Sequence, residues 1–146
     1  MKAKLPNQAD ANLARARRLL HDHRTRAKRD GCQLDYALTD LQRLIAEHPL
    51  CAYCRAPVSF AVQVDHRTPI ARGGRHQLAN LAVCCSRCNA LKGQLTEVEF
   101  RELLSFLAQH PRVAADLERR LLAGAARYAP KRRSRRGADF GPSVPE

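Results

Sequence analysis

The chain has 146 residues, enough for one modest core with an arm at each end. Its 26 lysines and arginines against 14 acidic residues leave a formal net charge of +12. No apolar run approaches membrane-spanning length, and the start MKAKLPNQADANLARARR lacks the apolar core of a signal peptide, which sets aside a membrane protein and a secreted disulfide scaffold. The six cysteines are therefore expected in a reducing cytoplasm, where paired C-x-x-C spacing points to metal rather than to disulfides. The charge is unevenly placed. Residues 1–30 hold nine basic and three acidic side chains, residues 31–128 twelve and nine, and residues 129–146 five and two. Basic ends around a nearly balanced middle favour a polyanionic partner.

In chain order, a helix is predicted from about Asp10 to Lys28, stopped by Asp30-Gly31, with a thin apolar stripe of Leu13, Ala16 and Leu20. Residues 1–31 thus read as a basic N-terminal helix or arm. Leu34, Leu38, Leu41 and Ile45 recur at helical spacing, and Thr39 with Gln42 suggests a capping box for a second helix ending near His48 and Pro49. Cys51 and Cys54 belong in a tight turn, and Val58 to Val64 reads as a strand delivering Asp65 and His66. Pro69 and Gly73-Gly74 place residues 67–79 in a compact loop, Leu81 to Val83 in a returning strand, and Ser86 to Lys92 in a helix stopped by Gly93. Thr96 and Glu99 make a second capping box, ahead of a stripe of Phe100, Leu103, Leu104 and Leu107. Pro111 closes that helix, and a last one from Arg112 to Tyr128 aligns Ala114, Leu117, Leu121 and Ala125. Residues 32–128 form the expected domain. The basic tail 129–146, rich in Pro and Gly and poor in large apolar residues, is expected to be disordered.

The chemistry gathers between Cys51 and Lys92. Cys51/Cys54 and Cys85/Cys88 supply four thiolates, a ligand set suited to tetrahedral Zn²⁺ with no open position, hence a structural ion. Cys84 adjoins Cys85 and is an alternative ligand, although only Cys85 keeps the two-residue spacing to Cys88. Cys32 has no partner in sequence. Asp65 is a hard oxygen donor of the type Mg²⁺ accepts, and His66 has the acid-base range of a general base. Side chains of successive strand residues point to opposite faces, so these two can serve different jobs only if the chain bends there. His21, His23, His48, His76 and His110 read as surface or helix-end residues.

Cys51-Ala-Tyr-Cys54, Asp65-His66-Arg67-Thr68-Pro69, Gly73-Gly74, Asn80-Leu81 and Cys85-Ser-Arg-Cys-Asn-Ala-Leu-Lys-Gly93 with Thr96 together resemble an HNH endonuclease over residues 51–96. That is the ββα-metal nuclease fold with an added four-cysteine zinc site. The resemblance implies an α+β, mostly helical chain: a small ββα-metal core flanked by N-terminal and C-terminal helices. It implies that His66 is the general base for the attacking water. Asp65 and Asn89, the latter standing where the family name has its final H, hold one Mg²⁺ or Mn²⁺ against the scissile phosphate. Asn80 ties the loop to the backbone and so orients His66, while Lys92 steadies charge on the phosphate.

Arg67, Arg72, Arg75 and Arg87 around the loop, with Arg17 and Arg24 on the first helix, are the expected phosphate contacts. The implied partner is DNA, with RNA a compatible substrate, and the chain acts as a monomer or a homodimer. The competing reading is a non-catalytic zinc-ribbon module that binds nucleic acid. Such a module needs the four cysteines but has no use for Asp65, His66, Asn80, Asn89 and Lys92 together.

Overall fold

The structure is a computed structural model that describes residues 7–58 and 62–128. The tail from 129 and the middle of the expected strand, residues 59–61, lie outside the described residues. Among the described residues five α-helices and one two-stranded sheet follow in the order α1 (Gln8–Arg29), α2 (Leu38–Glu47), β1 (Gln63–His66), β2 (Leu81–Cys84), α3 (Ser86–Lys92), α4 (Glu97–Gln109) and α5 (Pro111–Tyr128). The sheet is antiparallel, pairing Gln63 with Cys84, Val64 with Val83, Asp65 with Ala82 and His66 with Leu81. No described helix is long and apolar enough to cross a membrane.

Helix α1 begins at an Asn7 cap whose side chain accepts from the Asp10 N–H at 2.9 Å. Ala16, Leu20, His23 and Ala27 follow at offsets of four, seven and eleven residues, and all four are buried together with Leu19. The helix is thus docked along its length on a stripe extending beyond the Leu13–Ala16–Leu20 face, and Leu13 itself is only half-buried.

Helix α2 starts at Leu38, not at a Thr39 cap. The Asp40 carboxylate accepts from the Ala37 N–H at 2.8 Å, and a charged acceptor one turn in holds the helix start ahead of the expected Thr39–Gln42 box. The box at α4 forms as expected. Thr96 donates from its backbone to Glu99 Oε2 at 2.7 Å while its hydroxyl accepts from the Glu99 N–H at 3.4 Å. Pro111 is the first residue of α5, where its missing N–H costs nothing.

The core gathers Leu20, Leu41 and Ile45 from the N-terminal helices, Val64, Leu81 and Val83 from the sheet, Leu91 from α3 and Phe100 from α4. Leu121 and Leu122 of α5 pack against it half-buried. Strand β1 differs from the expected Val58–Val64 strand in starting at Gln63 and including Asp65 and His66 themselves.

The connection from Arg67 to Asn80 is compact, with single 3₁₀ turns at Ile70–Arg72 and Leu78–Asn80. Gly73 sits at φ 86°, the left-handed region. Gly74 is required for a different reason: a Cβ there would lie 1.9 Å from the Thr68 carbonyl oxygen, and backbone has no room to yield. Gly74→Ala is therefore expected to lower stability by about 1–3 kcal/mol or more through overpacking. Gly73→Ala meets no atom and should cost about 1 kcal/mol from backbone strain alone. Urea denaturation of the two variants measures the difference, and equal midpoints would show that Thr68 moves freely.

Candidate active site and metal centre

Four sulfurs meet at the base of the sheet. The Cys51–Cys54 turn closes on itself through the Cys51 N–H donating to Ala56 O at 2.8 Å and the Arg55 N–H donating to Cys51 O at 3.0 Å, with Arg55 at φ 63°. The Ala52 N–H donates to Val83 O at 2.9 Å, fastening the turn to β2. Cys85 caps α3, its sulfur accepting from the Cys88 N–H at 3.4 Å.

The ligand atoms of Cys51, Cys54, Cys85 and Cys88 all lie within 4.8 Å of one another, and the Cys54 and Cys85 sulfurs are 3.8 Å apart. Tetrahedral Zn²⁺ with Zn–S bonds of about 2.3 Å spaces its sulfurs by about 3.8 Å, so the donor set fits that ion. Burial pushes the Cys54 and Cys88 thiols up. It opposes the shift at Cys51 too, yet N–H groups of Cys54, Cys85 and Tyr53 bring that thiol down to about 7. Ion binding must therefore release protons. Cys84 is outside this group: it is fully buried on β2 and belongs to the core, where burial raises its thiol far above the ordinary range.

Strand β1 presents Asp65 and His66 to different neighbours without leaving the sheet, so the expected bend is not needed. The alternation of the strand separates them. Asp65 Oδ2 receives the Lys92 ammonium at 2.9 Å and the Tyr53 hydroxyl at 3.2 Å. Lys92, expected to reach a phosphate, instead has a fully buried side chain and also donates to His66 O at 2.9 Å. Burial pushes the Asp65 carboxyl up, against the opposing pull of Lys92 and Tyr53.

His66 faces the other way, toward two residues whose sequence context suggests surface positions. His23 of α1 and His76 of the loop are buried, with ring centroids 5.0 and 5.1 Å from that of His66. His23 is fixed by Nδ1 against Tyr36 Oη at 2.7 Å. The signal for His23 was present in the chain, because it continues the Ala16–Leu20 stripe at helical spacing toward Ala27. For His76 only its place after the Gly-Gly pair marks it. Burial, then the neighbouring charges of His23, His76 and Arg26, bring His66 down to about 3, and burial with Arg26 brings His23 down to about 4. Both imidazoles are neutral at pH 7.

Asp65 and His66 together border a pocket of about 610 Å³, whose rim includes Arg26 and Arg29 from the last turns of α1 and Gly93 and Gln94 after α3. Asn80 lies beneath the adjoining loop. Its Oδ1 accepts from the Thr68 N–H at 2.9 Å and its Nδ2 donates to Thr68 O and Arg75 O, both at 3.0 Å.

Asn89 is half-buried and opens into a neighbouring pocket that shares only Gly93 and Gln94 with the first; its side chain makes no hydrogen bond to a described residue. Of the expected phosphate contacts, Arg67 pairs with Glu97 at 2.6 Å, Arg72 with Glu99, and Arg87 with Glu118. These three hold the loop to α4 and α3 to α5. Arg17, Arg24 and Arg75 are exposed.

Two outcomes are expected from this geometry. Cys54→Ser should lose the zinc equivalent measured by metal analysis, and with it a share of the about 10–16 kcal/mol that structural zinc sites contribute, so that the chain unfolds. Retention of a full native fold without zinc would remove the four-thiolate centre. Separately, the neutral His23 binds fewer protons folded than unfolded. Its contribution is complete above the unfolded value of 6.5 and is lost as pH falls toward about 4. Across that window His23→Gln should flatten the fall in unfolding free energy by about 3 kcal/mol, measured with zinc content monitored at each pH.

No curated protein matches the chain by sequence. The match that does emerge covers the turn, sheet and helix just described: residues 51–95 fit the family model described as HNH endonuclease.

Proposed function

We infer that the chain is a metal-dependent endonuclease of the HNH type that hydrolyses DNA phosphodiester bonds. The observation that carries this reading is one pocket where Asp65 and His66, on a strand of the matched segment that is fastened to the four-cysteine centre, meet Arg26 and Arg29 of α1.

His66 accepts the proton of the attacking water. Its burial keeps the ring neutral and therefore in the accepting form, and its buried Nε2 leaves Nδ1 as the nitrogen for the pocket. Asn80 holds Thr68 and Arg75 in place through its three hydrogen bonds, which fixes the loop following His66. Lys92 positions the Asp65 carboxylate and the His66 carbonyl at once.

Arg26 makes no ion pair among the described residues while Arg29 is held by Asp30 at 2.9 Å, so Arg26 is the free guanidinium at the pocket rim for a substrate phosphate. Asp65 would supply a hard oxygen donor for Mg²⁺ or Mn²⁺ at this pocket, and the Asn89 amide oxygen would be the second once turned in from the neighbouring pocket. When bound, that ion supplies Lewis-acid stabilisation of the charge on the phosphate and the leaving 3′ oxygen. The Zn²⁺ of the cysteines is structural, its four ligands leaving no open position.

One arrangement favours the alternative of a non-catalytic zinc module: Asp65 is occupied by Lys92, and Asn89 opens to a different pocket. Incubating supercoiled plasmid with the protein separates the two. Conversion is expected with added Mg²⁺ or Mn²⁺ and not without. His66→Ala should lower the rate by about 10²–10⁴-fold while keeping zinc and DNA binding. Undiminished cleavage by His66→Ala would remove the base assignment. A parent protein that binds zinc and DNA yet cuts nothing would be the zinc module.

A further inference from the structure

We propose that His23, His66 and His76 form a second metal site, selective for a zinc-class transition ion, whose occupation withdraws His66 from catalysis. The three imidazoles come from α1, β1 and the loop after it, and the residues are 3%, 7% and 2% exposed. Their ring centroids stand 5.0 Å (His23–His66), 5.1 Å (His66–His76) and 6.1 Å (His23–His76) apart. Nε2 of His66 and both ring nitrogens of His76 are buried without a hydrogen-bond partner. A buried polar atom left in that state costs about 1–3 kcal/mol, and three in one cluster call for a shared partner.

An ion meets that demand. With Zn–N bonds of about 2.0–2.1 Å, tetrahedral coordination spaces imidazole centroids by about 5.2 Å, close to two of the observed separations. Among the described residues only the cysteine sulfurs already lie within 4.8 Å of one another, so the histidines close on the ion by rotation of their rings. The Tyr36 hydroxyl at Nδ1 of His23 leaves Nε2 of that ring for the metal, the arrangement by which an outer partner orients a ligating histidine.

Burial favours the neutral imidazoles that ligation requires. Arg26 and Lys92 oppose a dication here, while Asp22 acts favourably on His23 and Asp30 on His76. An all-nitrogen set selects zinc-class ions over Mg²⁺, which keeps oxygen ligands.

The consequence for activity rests on the reading of His66 as the general base. Coordinated through Nε2, its ring carries its remaining proton on Nδ1 and has no lone pair there to accept a proton from water.

The test titrates Co²⁺ into the full chain, already holding one structural zinc, in Mg²⁺ buffer. One additional Co²⁺ per chain is expected, with weak d–d absorption and no intense sulfur charge-transfer band. His76→Gln should abolish it with the structural zinc retained, and Tyr36→Phe should weaken it by about 10–100-fold. Absence of a second ion in the parent, or undiminished binding by His76→Gln, overturns the site. If His76→Gln loses its structural zinc, unchanged affinity in Tyr36→Phe overturns it instead.

In a parallel plasmid assay, Zn²⁺ beyond the structural equivalent should suppress Mg²⁺-supported cleavage by about the 10²–10⁴-fold that a general base supplies, with relief in His76→Gln. Full occupancy with undiminished cleavage would overturn the silencing and the role of His66 while leaving the site. Absence of cleavage in Mg²⁺ alone would instead remove the endonuclease reading, with the cobalt titration still deciding the site.

Discussion

The arrangement turns on one buried cation. Lys92 ends the seven-residue helix α3 with its ammonium away from solvent, between the Asp65 carboxylate and the His66 carbonyl. A lysine in that position must be paired, because taking its charge out of water costs several kcal/mol unless hydrogen bonds repay it. The pairing sets the distance between α3 and β1. The same helix is capped by Cys85 and carries Cys88, so the four-cysteine cluster at one end and the ion pair at the other fix its axis. Asp65 then has a place from which its carboxylate cannot wander, while strand alternation gives His66 the opposite side. The sheet has only two strands of four residues, too short to hold a site by backbone hydrogen bonds alone.

A second constraint is electrostatic. The chain's excess of basic residues does not translate into an equally basic surface at the site. Glu97 accepts both Arg67 and Arg101, Glu99 accepts Arg72, and Glu118 accepts Arg87. Exposed pairs of this kind contribute little stability each, but they tie the loop of residues 67–80 and α3 to the C-terminal helices at points where the hydrophobic core does not reach. Exposed arginines with no ion pair among the described residues run along α1 as Arg17, Arg18, Arg24 and Arg26, and only Arg26 of these reaches the pocket.

What could be read from the chain alone follows the range of the interactions involved. The α4 cap and the order strand, loop, strand, helix are governed by contacts within a few residues, and spacing alone reveals them; each C-x-x-C pair is equally plain in its own spacing, although the two pairs meet only across the 31 positions from Cys54 to Cys85. The exceptions are long-range. Lys92 resembles any helix-end lysine until Asp65, twenty-seven positions earlier, is brought against it. The arginine pairs depend on glutamates from α4 and α5 that no local pattern connects to them. His23 was hidden by its chemistry: a histidine on an otherwise apolar stripe reads as polar, although its spacing from Ala16 and Leu20 puts it on the buried face. The Thr39 cap failed for a smaller reason, since Asp40 offers the backbone a charged acceptor that a hydroxyl pattern overlooks.

The docking of α1 changes what counts as the unit of this protein. The His23 imidazole beside His66, the Tyr36 hydroxyl behind it and the arginines at the pocket rim are contributed by residues 23–36, well upstream of the matched segment. A graft of residues 51–95 onto another scaffold would carry the cysteines, the strand pair and the short helix, but it would open one face of His66 to bulk water. The transferable piece therefore begins at α1. In kindred chains, substitutions at Ala16, Leu20, His23 and Ala27 should track changes around Asp65 and His66 more closely than their distance along the sequence suggests.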